Sequence, residues 1–110
     1  MPPRDWRLRI EDILEAAARI ETYIAGLAFE QFREDRKTVD AVVRNLEVIG
    51  EAARHLVTSQ EDLPVDIPWA DIAGMRNVLI HAYFGVDLGI VWQTATVDVP
   101  AFAAKLRGPR

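Results

Sequence analysis

The chain has no cysteine among its 110 residues, which excludes a disulfide framework and any thiolate metal site. That absence suits a reducing compartment. No apolar run approaches the roughly 20 residues a membrane span needs, so no membrane association is expected. The opening Met1-Pro2-Pro3-Arg4-Asp5-Trp6 lacks the apolar core of a signal peptide, and a cytoplasmic location is the expectation. Positive charge is not in excess either. The formal net charge is −4, which disfavours a general coat on duplex nucleic acid. No stretch alternates with period two for long enough to read as a strand. There is no internal repeat and no low-complexity tract.

What is present reads as one domain spanning residues 1–110. Half of the residues are hydrophobic, enough for a core, yet a chain of this size leaves much surface exposed. Amphipathic helices on so small a body often complete their burial by dimerising. The charge is uneven. Between Arg36 and Gln60 the basic residues Arg36, Lys37, Arg44 and Arg54 outnumber the acidic ones by one, and Lys105, Arg107 and Arg110 crowd the C-terminal segment. A local basic cleft, or a basic partner for the acidic remainder, are both open.

Four main helices follow from the apolar spacing. Trp6, Ile10, Ile13, Ala17, Ile20, Ile24 and Leu27 step by four and three, widened by Leu14 and Tyr23, with Asp5 as N-cap. Arg7, Glu11, Glu15, Arg19 and Glu21 form the solvated face. Gly26 and then Glu30 to Lys37 read as a connection. The second helix starts near Thr38 and presents Val39, Val42, Leu46, Ile49, Ala53 and Leu56, with Val43 and Val57 beside them. Its Gly50 costs about 1 kcal/mol against alanine in a helix, which suggests that another backbone approaches there. Glu47 and Glu51 stand one turn apart as metal ligands can, but Arg44 and Arg54 offer them partners, and no metal is expected. His55 near the helix end reads as a surface or dipole-compensating residue. After an acidic loop, Pro68 suits the first turn of a third helix, Trp69 anchors it, and the helix runs to about Tyr83. Gly85 stops it, Asp87 caps the next, and Leu88, Val91, Trp92 and Ala95 face the core. Pro100 predicts a kink or restart, after which Phe102, Ala103 and Leu106 close the bundle. The fold class is all-α, an up-and-down bundle of four main helices with a short C-terminal helical segment.

The third helix carries polar residues that need a reason. Asn77 and His81 are four apart and share a helical face; Arg76 and Tyr83 are seven apart and share another. Arg76 and His81 lie roughly 140° apart around one axis, so one rigid helix does not aim both at the same atom. An unwound last turn, the arginine's long stem, or a second copy of the helix across a symmetric dimer would. Such a groove suits metal-free RNA cleavage, with no cofactor. Histidine moves a proton near neutrality, and arginine grips phosphate oxygens and the charge that grows on them. Asn77 would orient the histidine or the phosphate. Spacing alone favours a solvated helix end over catalysis.

RNVLIHAY, preceded by IPWADIAGM and followed by FGVDLGIVW, resembles the HepT-like branch of the HEPN ribonuclease superfamily. RNLEVIGEAARHL in the second helix resembles the same branch, so the likeness spans most of the chain from Val39 to Trp92. The resemblance implies a helical homodimer whose Arg-x4-His motifs line a composite cleft. It implies an RNase toxin of a toxin–antitoxin pair, acting on tRNA or mRNA without a metal. It also implies an antitoxin partner, an MntA-type minimal nucleotidyltransferase, that transfers AMP to the motif's tyrosine. Carried onto this chain, Arg76 and His81 are the catalytic pair, Asn77 is the polar helper and Tyr83 is the AMPylation site. An AMP group there would obstruct the groove and pair with Arg76. The reading from another class is a non-catalytic subunit that binds a nucleotide or docks the nucleotidyltransferase.

Overall fold

A computed structural model describes residues 6–59, 67–75, 77, 79 and 87–108. All regular structure is helical, and no strand occurs among the described residues. Helix α1, Trp6–Ile24, contains no glycine or proline. It buries Ile13, Ala16, Ala17 and Ile20, with Ile10, Leu14 and Ile24 half-covered. The expected solvated face is exposed from Arg7 to Glu21. The apolar stripe is shorter than the spacing predicts, because Trp6 and Tyr23 remain 36% and 39% exposed. The Arg7 guanidinium lies 5.2 Å from the Trp6 ring centroid, a cation–π contact that suits an aromatic ring left at the surface. The proposed cap Asp5 lies outside the described residues. Gly26, with φ of 77°, turns the chain out of α1 while the Leu27 amide donates to the Ile24 carbonyl at 3.0 Å. Only glycine takes that left-handed conformation without strain.

The connection that follows is not plain loop. Phe29–Glu34 forms a short helix, α2, opened by the Ala28 amide donating to Gln31 Oε1 at 2.8 Å. Phe32 is fully buried, its ring 5.0 Å from that of Trp92. The pattern fails to announce this because one helical turn shows no periodicity, and Glu30, Arg33 and Glu34 dominate its composition.

Helix α3, Arg36–Ser59, is the longest element. Its cap is Asp35 rather than Thr38: Asp35 accepts from the Thr38 amide at 3.1 Å and from the Thr38 hydroxyl at 2.7 Å. Those bonds, the side-chain one first, hold the Asp35 carboxyl below its ordinary value. The six expected core positions from Val39 to Leu56 are all buried, whereas Val57 is 48% exposed. Buried Asn45 satisfies its amide on the Ala41 carbonyl at 2.9 Å.

Helix α4, Trp69–Ala73, starts one residue after Pro68, whose carbonyl accepts from the Ile72 amide at 3.0 Å. Trp69 is buried, as an anchor should be. The expected unbroken helix to Tyr83 is interrupted at Gly74, where ψ opens to −5°. Helical geometry resumes at Met75, Asn77 and Leu79, and the Asn77 amide donates to the Gly74 carbonyl at 3.0 Å. Gly85 lies outside the described residues.

Helix α5, Leu88–Gln93, is capped as expected by Asp87, which accepts from the Ile90 amide at 3.1 Å. A π turn, Thr94–Asp98, then leads into α6, Val99–Arg107. Pro100 explains the widening. It has no amide for the Thr96 carbonyl, and its ring would crowd that carbonyl in a regular α-helix. The Val99 amide instead reaches the Thr94 carbonyl five residues back. The Thr94 and Thr96 hydroxyls bond back to the Ile90 and Trp92 carbonyls at 2.8 and 2.7 Å. Val91, Ala95, Phe102, Ala103 and Leu106 are buried, and Gly108, with φ of 67°, ends α6. The core lies where α3 packs on α1 and α4, with α2 and α6 closing its sides. No helix among the described residues is long and apolar enough to cross a membrane.

Candidate active site

The motif-bearing arm is seated by its apolar side. Ile72 and Met75 are buried and lie over Gly50 of α3. A Cβ built on Gly50 would stand 3.8 Å from the Met75 Cβ and 3.9 Å from the Ile72 carbonyl oxygen. A neighbouring segment therefore packs on Gly50, but at ordinary van der Waals distance that leaves room for a Cβ rather than at the close approach expected of a mid-helix glycine. Past the break at Gly74, Asn77 is exposed while Leu79 is half-buried. Arg76, His81 and Tyr83 lie outside the described residues. The expected convergence of Arg76 and His81, and the place of Tyr83 beside them, fall there too.

The other polar residues singled out from the sequence are engaged with each other. The Arg54 Nη2 donates to Glu51 Oε1 at 2.7 Å, and His55 Nε2 stands 3.1 Å from the same oxygen. Arg44 and Glu47 are 3.7 Å apart. The hydrogen bond from Arg54 holds the Glu51 carboxyl below its ordinary range, helped by the Arg54 and His55 charges, and Glu51 in turn raises Arg54. Glu47 and Glu51 thus each stand in a surface ion pair. No group of three or more metal-ligating side chains occurs among the described residues. Exposed pairs of this kind contribute little to stability.

Sequence reasoning missed a cleft of about 350 Å³ between α4 and the π turn with α6. Ile72, Met75 and Phe102 form its apolar floor; Asp71, Asp98 and Lys105 stand at its rim. Gly74 lines one wall, and Thr94 and Asp98 of the π turn line the other. Both irregularities carry sequence signals, a glycine inside a helical pattern and a proline inside another. Neither signal says that the two walls meet.

A family model described as "Ribonuclease HepT-like" matches residues 13–108. The chain belongs to the HepT-like ribonuclease family. This HepT-like chain is 45% identical over 96 residues to a protein of Thermococcus cleftensis named "Probable ribonuclease HepT", covering 87% of each. A "Putative RNase" of Caldanaerobacter subterraneus is 37% identical over 98 residues, covering 89% of this chain and 88% of the relative. A Methanocaldococcus jannaschii protein named "Gamma-glutamylcyclotransferase and putative RNase" is 37% identical over 97 residues, which make up only 44% of its own length. No solved structure is a significant match. Membership of the family supports ribonuclease activity for this HepT-like chain, and its all-α bundle agrees with the architecture read from the helical spacing.

Proposed function

We propose that the chain is the RNase toxin of a toxin–antitoxin pair and a metal-independent endoribonuclease that works as a homodimer. The reading is carried by one observation: a family match over residues 13–108 that encloses Arg76, four residues, His81, one residue and Tyr83. In this mechanism the ribose 2′-oxygen attacks the adjacent phosphorus, and the P–O5′ bond breaks. The products are a 2′,3′-cyclic phosphate and a 5′-hydroxyl. His81 takes the proton from the 2′-hydroxyl in one subunit, and its counterpart in the other subunit gives one to the departing 5′-oxygen. Arg76 holds the phosphate oxygens and the charge that accumulates on them. Asn77 orients the phosphate or the imidazole. The exposure of the Asn77 side chain suits that role.

The partner is an MntA-like minimal nucleotidyltransferase. The Tyr83 phenolic oxygen attacks the α-phosphorus of ATP, pyrophosphate leaves, and Tyr83 carries AMP. The added phosphate competes with RNA for Arg76, and the adenosine fills the groove.

The test is RNA cleavage in EDTA by protein whose intact mass shows no AMP adduct. Cyclic-phosphate ends are expected, and His81→Ala should lower the rate by about 10²–10⁴-fold, the usual contribution of a general acid–base group. Sequencing of the products identifies tRNA or mRNA as substrate. Cleavage unchanged in His81→Ala overturns the mechanism. No cleavage by the unmodified protein returns the chain to the reading of a nucleotide-binding or nucleotidyltransferase-docking subunit.

A further inference from the structure

The cleft between α4 and α6 is lined by none of the ion-paired residues of α3. Its floor of Ile72, Met75 and Phe102 is apolar and aromatic, and its volume of about 350 Å³ lies within the range of small-ligand sites. Both carboxylates at the rim, Asp71 and Asp98, are acceptors only when ionised. Lys105 stands on the same rim and is the one basic side chain among the described residues that line the cleft. Met75, which lines the cleft beyond the end of α4, stands one residue before Arg76. Consecutive Cα atoms are about 3.8 Å apart, so RNA held by Arg76 lies within a few nucleotides of a cleft that Met75 lines.

A site of this composition selects by hydrogen-bond polarity. Single-stranded RNA is read by laying an unstacked base on an apolar or aromatic surface and bonding its Watson–Crick edge. Acceptor-only groups favour an edge rich in donors. Guanine alone offers two adjacent donors, N1–H and N2–H, to one carboxylate. Adenine and cytosine set one amino group beside an acceptor nitrogen, and uracil flanks its single N–H with two carbonyls. A basic peptide would also satisfy two carboxylates. RNA is favoured because the family supports ribonuclease activity and because Met75, which lines the cleft, is followed directly in the chain by Arg76.

We infer that the cleft formed by Asp71, Ile72, Met75, Asp98 and Phe102 is a nucleobase subsite that takes guanine in the RNA substrate. This rests on the ribonuclease reading for its substrate, but the subsite is measurable without catalysis. GMP, AMP, CMP and UMP are titrated into the full chain and followed by NMR shifts of the Met75 methyl and the Phe102 ring. GMP should bind about ten-fold more tightly than UMP, the size of discrimination that one well-formed bidentate contact provides. In the double variant Asp71→Asn, Asp98→Asn the preference should fall below two-fold, while Glu21→Gln on α1 should leave it intact. In parallel, cleavage sites mapped on one RNA should show guanine enriched at a fixed offset from the cut with the native chain and not with the double variant. Equal binding of GMP and UMP by the native chain overturns the inference. So does a preference that survives in the double variant, or an arginine-rich peptide that fills the cleft and is not displaced by GMP. A chain that cleaves no RNA yet prefers GMP refutes the ribonuclease reading and leaves the subsite standing.

Discussion

Asp35 shows how one side chain starts an element. Its two bonds to Thr38 fix the first turn of α3 and keep its carboxyl ionised below the ordinary carboxylate value of 3.8. A depressed value stabilises the fold above that pH, and the contribution disappears as pH falls through the folded-state value. Asp35→Ala should therefore lower Tm at neutral pH, and the gap from the native chain should close as pH drops below the ordinary carboxylate range. Thermal melts across pH read both. Gly50 makes the opposite case. Its nearest neighbours leave ordinary van der Waals room for a methyl group at 3.8 and 3.9 Å, and its backbone is helical. Gly50→Ala should therefore stabilise the protein by up to about 1 kcal/mol in urea unfolding, through backbone entropy lost from the unfolded chain. The cap was half legible in the sequence. Thr38 and Asp35 are both capping residues, and only the bonds distinguish which one accepts.

At the scale of elements, the long helices were legible and the short ones were not. The α3 stripe from Val39 to Leu56 repeats over about five turns, and all six of its positions are buried. Helix α2 has six residues, too few for a period to appear, yet it places Phe32 at the centre of the aromatic contact with Trp92. Phe32→Ala should cost about 3–5 kcal/mol by the lost transfer energy and the cavity left behind, read as a shift of the urea midpoint. A cost near zero would mean that α2 merely bridges α1 and α3. The break at Gly74 and the π turn before Pro100 are the same kind of case. Glycine and proline signal that a helix will deviate, but the direction of the deviation depends on what packs alongside.

The whole molecule measures 41 × 30 × 25 Å and leaves several large apolar side chains in solvent. Leu8, Val57, Ile90 and Val97 are 42, 48, 37 and 57% exposed. A chain of this size gains burial by pairing, and a composite Arg76–His81 site requires it. Light scattering at assay concentration should give about twice the 12.4 kDa chain mass. A monomer that still cleaves RNA would remove the composite site while leaving the enzyme. The sequence by itself determined the long helices, the Asp87 cap, the family and the motif, because all of these depend on residues within a few positions of each other or on their plain order. Tertiary structure alone decided that Trp6, Tyr23 and Val57 stay in solvent, that Phe32 is core, and that Gly50 receives α4. It also joined Asp71 to Asp98 across one cleft. Those outcomes depend on which distant surfaces meet, and periodicity along a chain records a buried face without recording what buries it.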